Sequence, residues 1–135
     1  MRKAPLLPLI LCAALSGCDP LIEPQPVPVS LTTARLTGPM LPVVIMAGRD
    51  TIRINGSIGV NEPCYDFSAS AATQRDTLMV TLFATRRSGF CSQVLAAFSY
   101  DLSIGPVSPG ASVLRLVYDR RGPPTYRETV LQQDL

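Results

Sequence analysis

Two cysteines, Cys64 and Cys91, are the residues of this chain whose side chains are best suited to covalent chemistry. A cysteine acts as a nucleophile only as a thiolate, which an adjacent base must generate. The chain contains no histidine and no lysine after Lys3, so carboxylates, tyrosines and arginines are the groups left near either cysteine. The cysteines also lie 27 positions apart, far from the Cys-x-x-Cys spacing of thiol-exchange proteins. We therefore predict no catalytic residue and no enzymatic activity.

Two carboxylates, Glu62 and Asp66, flank Cys64 at a spacing of four positions and raise the question of acid-base or metal chemistry. A hard cation needs more oxygen ligands gathered together than these two residues supply. Zinc is commonly held by histidine and cysteine, and histidine is absent. We interpret the two carboxylates as solvated loop groups, and we predict no metal site and no cofactor.

The charge distribution argues against a nucleic-acid partner. Of the 12 basic residues, removing Arg2 and Lys3 leaves ten, which equals the ten acidic residues, so the rest of the chain is formally neutral. Adjacent basic residues elsewhere occur only as the pairs Arg86-Arg87 and Arg120-Arg121. Phosphate binding requires larger clusters of Lys and Arg, so we predict no nucleic-acid partner. We interpret both pairs as turn residues in contact with water, in positions where domains also present binding surfaces.

The beginning of the chain has the organisation of an export signal. Arg2 and Lys3 form a positive start, and Leu6–Leu15 forms a short apolar stretch interrupted by one proline. This stretch is about half of the roughly 20 residues that a membrane-spanning helix needs. The residues Leu15-Ser16-Gly17-Cys18 resemble the lipobox of bacterial lipoproteins, in which a large aliphatic residue and two small ones precede the modified cysteine.

The lipobox resemblance implies that residues 1–17 are a cleaved signal peptide and that Cys18 receives a diacylglyceryl group. Two or more acyl chains hold a protein stably on a bilayer, because each buried methylene adds about 0.8 kcal/mol. The membrane, reached through the lipid on Cys18, is therefore the first predicted partner. Two alternatives stay open: an ordinary signal peptide that contains Cys18, and a disulfide between Cys18 and a cysteine of the following domain.

The cell envelope is the predicted location. Asp19 matches the residue that, in enterobacteria, tends to retain lipoproteins at the inner membrane. The pattern does not extend to all bacteria, so three locations stay open: the inner membrane facing the periplasm, the outer membrane facing the periplasm, and the outer surface of a Gram-positive cell.

Residues 19–30, with the sequence DPLIEPQPVPVS, carry four prolines, which remove backbone donors and favour extended conformations. Together with Cys18 they form the predicted tether, residues 18–30, as a polyproline-like stalk. At about 3.1 Å per residue, such a stretch reaches roughly 35 to 40 Å. The alternative is a disordered leader. In both interpretations the segment contributes little to the core, and the folded domain is predicted to span residues 31–135.

From residue 31 onward, apolar residues recur with a period of two, which is typical of strands buried on one face. Ile52–Val60 shows this pattern through Asn55-Gly56, a pair that otherwise favours a hairpin turn. Residues 94–104 suit a strand, although Val94, Leu95 and Phe98 would also share one face of a helix. The other predicted strands are residues 31–37, 43–46, 65–71, 78–84, 113–118 and 126–131.

These elements predict an all-β fold, a small antiparallel β-sandwich of about seven strands. Cys64 and Cys91 lie near the beginnings of two predicted strands and form an even pair in an oxidising compartment, so we expect one structural disulfide. The arrangement resembles secreted immunoglobulin-like β-sandwiches, but the tryptophan usually packed against their disulfide is missing, since the chain has none. This resemblance implies an architecture and carries no function.

Two classes of function are compatible with the sequence. The first is a non-catalytic binding or structural module of the cell envelope, displayed on a stalk and contacting a protein or glycan through loops or an edge strand. The alternative is an inhibitor or accessory subunit of an envelope enzyme or secretion complex. No motif distinguishes the two classes.

Overall fold

The structure is a computed structural model that describes residues 23–122 and 125–135. The predicted signal peptide, Cys18 and the first residues of the predicted tether lie outside the described residues. The described part of the chain forms nine strands and contains no helix. The strands are β1 (Gln25–Val27), β2 (Val29–Leu36), β3 (Val44–Ala47), β4 (Ile52–Val60), β5 (Tyr65–Gln74), β6 (Thr77–Arg86), β7 (Ala96–Ile104), β8 (Val113–Arg121) and β9 (Tyr126–Asp134).

The strands form two sheets that share one hydrophobic core. One sheet has five strands in the order β1-β5-β6-β8-β9, and the other has four in the order β2-β7-β4-β3. Neighbouring strands are antiparallel except β6 and β8, which are parallel. Parallel neighbours need a crossover connection, and here the chain makes it by passing through β7 in the other sheet. The predicted all-β sandwich is confirmed, with nine strands rather than about seven.

The last part of the predicted tether is folded. Gln25–Val27 is β1, which pairs with β5 at one edge of the five-stranded sheet. Val29 and Ser30 begin β2, which pairs with β7, so the chain changes sheets at Pro28. Proline is tolerated in an edge strand, and its extended conformation suits a strand as well as a stalk. The folded part therefore begins by Gln25, earlier than the boundary expected at residue 31.

The core explains why the period of two predicts the strands correctly. In β7, Tyr100, Leu102 and Ile104 are buried at every second position, so this segment is a strand and not a helix. Their partners on β4 include Ile54, which is also completely buried. The completely buried residues of the facing five-stranded sheet include Leu78, Val80, Leu82, Leu114 and Leu116.

The pairing register gives the sandwich two distinct ends. We call one end the loop end. Four strands end there, β2, β4, β6 and β8, and three strands begin there, β5, β7 and β9. The closing pairs there are Leu36 with Ala97, Val60 with Ala96, Tyr65 with Arg86 and Arg120 with Tyr126. At the opposite end, Gln25 of β1 pairs with Thr73, next to the turn between β5 and β6. The described chain therefore enters the domain at the end opposite the loop end.

Candidate functional site

Exposed apolar side chains are concentrated at the loop end. Nine large hydrophobic residues of the described chain are exposed, and six of them lie in or beside the connections that meet at this end. Phe90 is 100% exposed and Leu95 is 82% exposed. Exposed hydrophobic residues scattered singly are ordinary, whereas their concentration in one region makes that region a candidate interaction surface. We call these six the apolar loop residues: Met40, Leu41, Phe90, Val94, Leu95 and Tyr126.

The disulfide holds the connection that carries three of the apolar loop residues. Cys64 and Cys91 are bonded, with their Cα atoms 6.0 Å apart, which confirms the predicted pairing. Cys64 directly precedes β5, and Cys91 lies within the connection between β6 and β7. The N–H of Arg87 also donates to the carbonyl of Cys64 at 2.9 Å. The bond therefore fastens Phe90 and its neighbours to the connection between β4 and β5.

A buried carboxylate, Glu62, supports the same connection. Glu62 is only 2% exposed, and it forms an ion pair with Arg86. Gln93 donates from Nε2 to the same carboxylate at 3.0 Å. Arg86 donates in turn to the carbonyls of Arg87 and Gly89, at 3.2 and 3.4 Å. The hydrogen bond to Glu62 is the main reason why the pKa of the Arg86 guanidinium lies above its ordinary value.

The expectation that Glu62 is a solvated loop group is wrong. A carboxylate can be buried only when cations and donors replace its water, and Arg86 and Gln93 supply them. Asp66, the second carboxylate beside Cys64, is exposed, and it faces Arg87 at 3.4 Å. Within residues 23–122 and 125–135, no group of three or more His, Cys, Asp or Glu is placed to hold a metal ion.

Arg120 also departs from its expected place in contact with water, because it is only 7% exposed. Its Nη2 donates to the carbonyl of Gly59, in the opposite sheet, at 3.3 Å. Its guanidinium carbon lies over two aromatic rings, 5.3 Å from the centre of Tyr65 and 5.1 Å from that of Tyr126. The buried Nε has no acceptor among the described residues. A buried donor without an acceptor costs free energy, so an acceptor bound at this position would be stabilising.

A cleft of about 610 Å³ opens at the loop end, and Arg120 is one of its lining residues. Its walls come from the end of β2 with the connection that follows, the end of β4, and the beginning of β7. Arg35 is the second charged residue in the lining, and no acidic residue takes part. The larger apolar side chains of the lining are Leu36, Met40, Val60 and Leu95.

Two tyrosines join the sheets behind the loop end. The hydroxyl groups of Tyr100 and Tyr118 lie 2.7 Å apart, and Tyr118 donates to the carbonyl of Ser57 at 3.3 Å. Burial raises the pKa of Tyr100 above its ordinary value, although its hydrogen bond with Tyr118 acts in the opposite direction. Burial also raises the pKa of Tyr118, and the hydrogen bond with Tyr100 adds to the increase. Both phenols are enclosed in the core, which suits a structural role.

These shifts predict a loss of stability at alkaline pH. The folded protein favours the neutral phenols of Tyr100 and Tyr118, so their contribution is fully present below the unfolded tyrosine pKa of about 10. It is lost as the pH rises further, toward the raised pKa values of the folded state. We expect Tyr100 and Tyr118 to contribute phenolate absorbance only well above pH ~10 or together with unfolding.

The Tyr118→Phe variant is the control for this titration. The substitution removes the phenol of Tyr118. The phenol of Tyr100 should still ionise only well above pH ~10, because Tyr100 stays buried. If the phenolate absorbance lost in Tyr118→Phe is the part that appears near pH ~10 in the folded wild type, the prediction is contradicted.

Among the residues that the sequence singles out, the structure joins Cys64 to Cys91 and pairs Glu62 with Arg86. Cys18 lies outside the described residues. Arg87 and Arg121 are exposed, as expected, although Arg121 is the last residue of β8 and not a turn residue. The apolar loop residues are not among the residues that the sequence singles out. A signal for three of them exists in residues 88–95, SGFCSQVL, where apolar residues break the period of two inside a segment that otherwise has turn composition.

No protein-family model matches the chain, and neither the curated proteins nor the solved structures contain a match. Among residues 23–122 and 125–135, no helix is long and apolar enough to cross a membrane.

Proposed function

We propose that this chain is a lipoprotein of the bacterial cell envelope, anchored through Cys18, whose sandwich domain is a non-catalytic protein-binding module. The lipobox-like residues that end at Cys18 support the anchor. The direction of the chain supports the display of the domain. Because β1 begins at the end opposite the loop end, a tether that leads from the membrane would point the apolar loop residues away from the lipid surface.

The single observation that carries the binding role is that six of the nine exposed large hydrophobic residues of the described chain, the apolar loop residues, lie at one end of the sandwich. Moving an exposed phenylalanine into an apolar pocket of a partner contributes a large favourable binding free energy, because aromatic side chains bury large areas and have few rotatable bonds. Phe90 lies between Gly89, whose φ is 104°, and the bonded Cys91. A connection held in this way loses less conformational freedom on binding than a free loop does, which favours affinity.

The residues also support a non-catalytic role. Cys64 and Cys91 are consumed in the disulfide, so neither sulfur is available as a thiolate while the bond is intact. The buried Glu62 carboxylate is neutralised by Arg86 and is bonded to Gln93, which suits a structural group better than an acid or a base. Both cysteines and Glu62 at the loop end therefore have structural partners that account for them.

The anchor is tested by labelling cells with palmitate. We expect the wild-type chain to take up the label and to be processed to a form that begins at Cys18, and we expect Cys18→Ala to remain unlabelled and uncleaved at that site. Cys12→Ala is the matched control and should be labelled like the wild type, because Cys12 belongs to the predicted signal peptide. An unlabelled wild-type chain, or a mature form that begins elsewhere, would refute the lipoprotein assignment.

The binding surface is tested with two matched double variants. Phe90→Ser with Leu95→Ser removes the two most exposed apolar loop residues, and Val44→Ser with Met46→Ser removes exposed apolar residues from β3. Loss of an aromatic anchor from an interface typically costs about 2 to 4 kcal/mol, or roughly 30- to 1,000-fold in affinity. We therefore expect cross-linking in intact cells, followed by purification from solubilised membranes, to lose the partner only with the first variant.

Both double variants should unfold at temperatures close to that of the wild type, since all four residues are exposed. Retention of the partner by Phe90→Ser with Leu95→Ser, or equal loss in both variants, would contradict the assignment of the loop end.

An inhibitory or accessory role is the second candidate, and the full exposure of Phe90 on a disulfide-fastened connection favours it. A single projecting side chain on a constrained loop suits insertion into the cleft of an enzyme. The same purification separates the two candidates. An inhibitor should recover one enzyme in stoichiometric amount and lower its activity on addition, and a structural module should not change the activity of what it binds.

A further inference from the structure

We propose that the cleft at the loop end is a binding site for an aliphatic carboxylate, with Arg120 and Arg35 binding the carboxylate and the apolar lining receiving the aliphatic part. The proposal stands on the cleft and on the buried guanidinium. It does not require the protein-binding function proposed above.

The unsatisfied donor of Arg120 indicates an anion. This residue is 93% buried, lines the cleft, and has an Nε with no acceptor among the described residues. Its guanidinium lies over the rings of Tyr65 and Tyr126, and such rings interact with the face of the cation and not with the N–H groups in its plane. A carboxylate binds a guanidinium in that plane, through charge-assisted hydrogen bonds.

The charge of the lining agrees with this assignment. Arg35 is exposed on β2, lines the same cleft, and takes part in none of the ion pairs formed by the described residues. Glu62, the nearest acidic residue in sequence to the lining residue Asn61, is already neutralised by Arg86. The cleft therefore presents positive charge without a carboxylate of its own.

The apolar part of the lining selects the rest of the ligand. Leu36, Met40, Val60 and Leu95 surround the cleft, together with two alanines at the beginning of β7. A strongly hydrated anion such as inorganic phosphate would gain little from these walls, whereas an aliphatic chain attached to a carboxylate would bury apolar surface against them. The ligand class with both properties is an aliphatic carboxylate, either a free short-chain acid or the terminal carboxylate of a peptide that ends in an aliphatic residue.

The test uses the full chain, purified in detergent and labelled with ¹⁵N, and follows the side-chain Nε–H resonance of Arg120. Butanoate is the first probe, and butanamide is its uncharged control. We expect a saturable shift of this resonance with butanoate and at least a tenfold weaker response to butanamide, since loss of a charge-assisted hydrogen bond of about 1.4 kcal/mol is tenfold in affinity. The peptide Ala-Ala-Leu, with a free or an amidated terminus, distinguishes the two sources of the carboxylate.

Two substitutions complete the test. Arg35→Gln should weaken butanoate binding severalfold, whereas Arg49→Gln, the same change in the turn between β3 and β4 at the opposite end, should leave it unchanged. Tighter binding of the free-acid peptide than of butanoate identifies a peptide terminus as the natural source, and equal or weaker binding identifies a free acid. The proposal is overturned if butanoate produces no saturable shift, if butanamide binds equally well, or if Arg35→Gln and Arg49→Gln behave alike.

Discussion

Replacing Cys64 and Cys91 together with alanine is expected to lower the free energy of unfolding by about 3 to 4 kcal/mol, according to the chain-entropy estimate for a loop of this length. The two residues are 27 positions apart, so the bond restricts a substantial part of the unfolded chain. The expected loss is a large share of the roughly 5 to 15 kcal/mol by which a domain is usually stable. Thermal and denaturant unfolding measure it, and peptide mapping without reductant should show the two cysteines linked.

Ser92→Ala is the control for the disulfide variant, because Ser92 is an exposed neighbour of Cys91 and should change the stability by less than about 0.5 kcal/mol. Both cysteines are replaced so that no free thiol remains. The contacts of Glu62 with Arg86 and Gln93 involve neither cysteine, so below the unfolding transition of the variant we expect the β6–β7 connection to keep its place and partner binding to be retained. Two free thiols in the wild type, or a double variant as stable as the wild type, would refute the structural role of the bond.

Gly56→Ala is expected to cost about 2 to 4 kcal/mol, a large effect for one methyl group. A Cβ at this position would lie 2.5 Å from the hydroxyl oxygen of Tyr100 and 2.7 Å from its Cζ. Tyr100 cannot yield easily, because its hydroxyl is bonded to that of Tyr118 at 2.7 Å in the core. The substitution therefore forces either a backbone shift in β4 or the loss of a buried hydrogen bond. Denaturant unfolding measures the cost.

Gly59→Ala is a matched control in the same strand. A Cβ there would meet only the terminal methyl group of Met40, at the ordinary contact distance of 3.7 Å. We expect a change within about 0.5 kcal/mol, because alanine adds little strain at an open position. If Gly56→Ala proves as stable as Gly59→Ala, the tight contact between Gly56 and Tyr100 does not constrain the fold.

The central strands could be predicted from the sequence because at least one face of each is buried. Side chains of a strand alternate between two faces, so burial of one face imposes a period of two on the residue types. In β4, Ile52, Ile54 and Ile58 show that period and are buried. The disulfide was predictable for a different reason. Once Cys12 is assigned to the signal peptide and Cys18 to the lipid anchor, Cys64 and Cys91 are the only two cysteines that remain.

The identity of strand neighbours depended on the tertiary structure. Nothing in the residue types of β6 and β8 distinguishes a parallel pair from an antiparallel one, and their pairing results from β7 joining the other sheet. Gln25–Val27 likewise becomes a strand only because the edge of β5 is available to it. Pro26 and the flanking Pro24 and Pro28 indicate extended backbone, and extended backbone serves equally as a free stalk or as an edge strand.

The candidate site depended on the tertiary structure most of all. Glu62 and Arg120 have the charge and the loop or strand-end position that predict contact with water, and both are buried. Their partners are distant in sequence, since Arg86 lies 24 positions from Glu62 and Gly59 lies 61 positions from Arg120. A local pattern specifies which face of an element is apolar. Burial of a charge is decided by the counter-charges and donors that folding brings to it, and these depend on how the connections meet at the loop end.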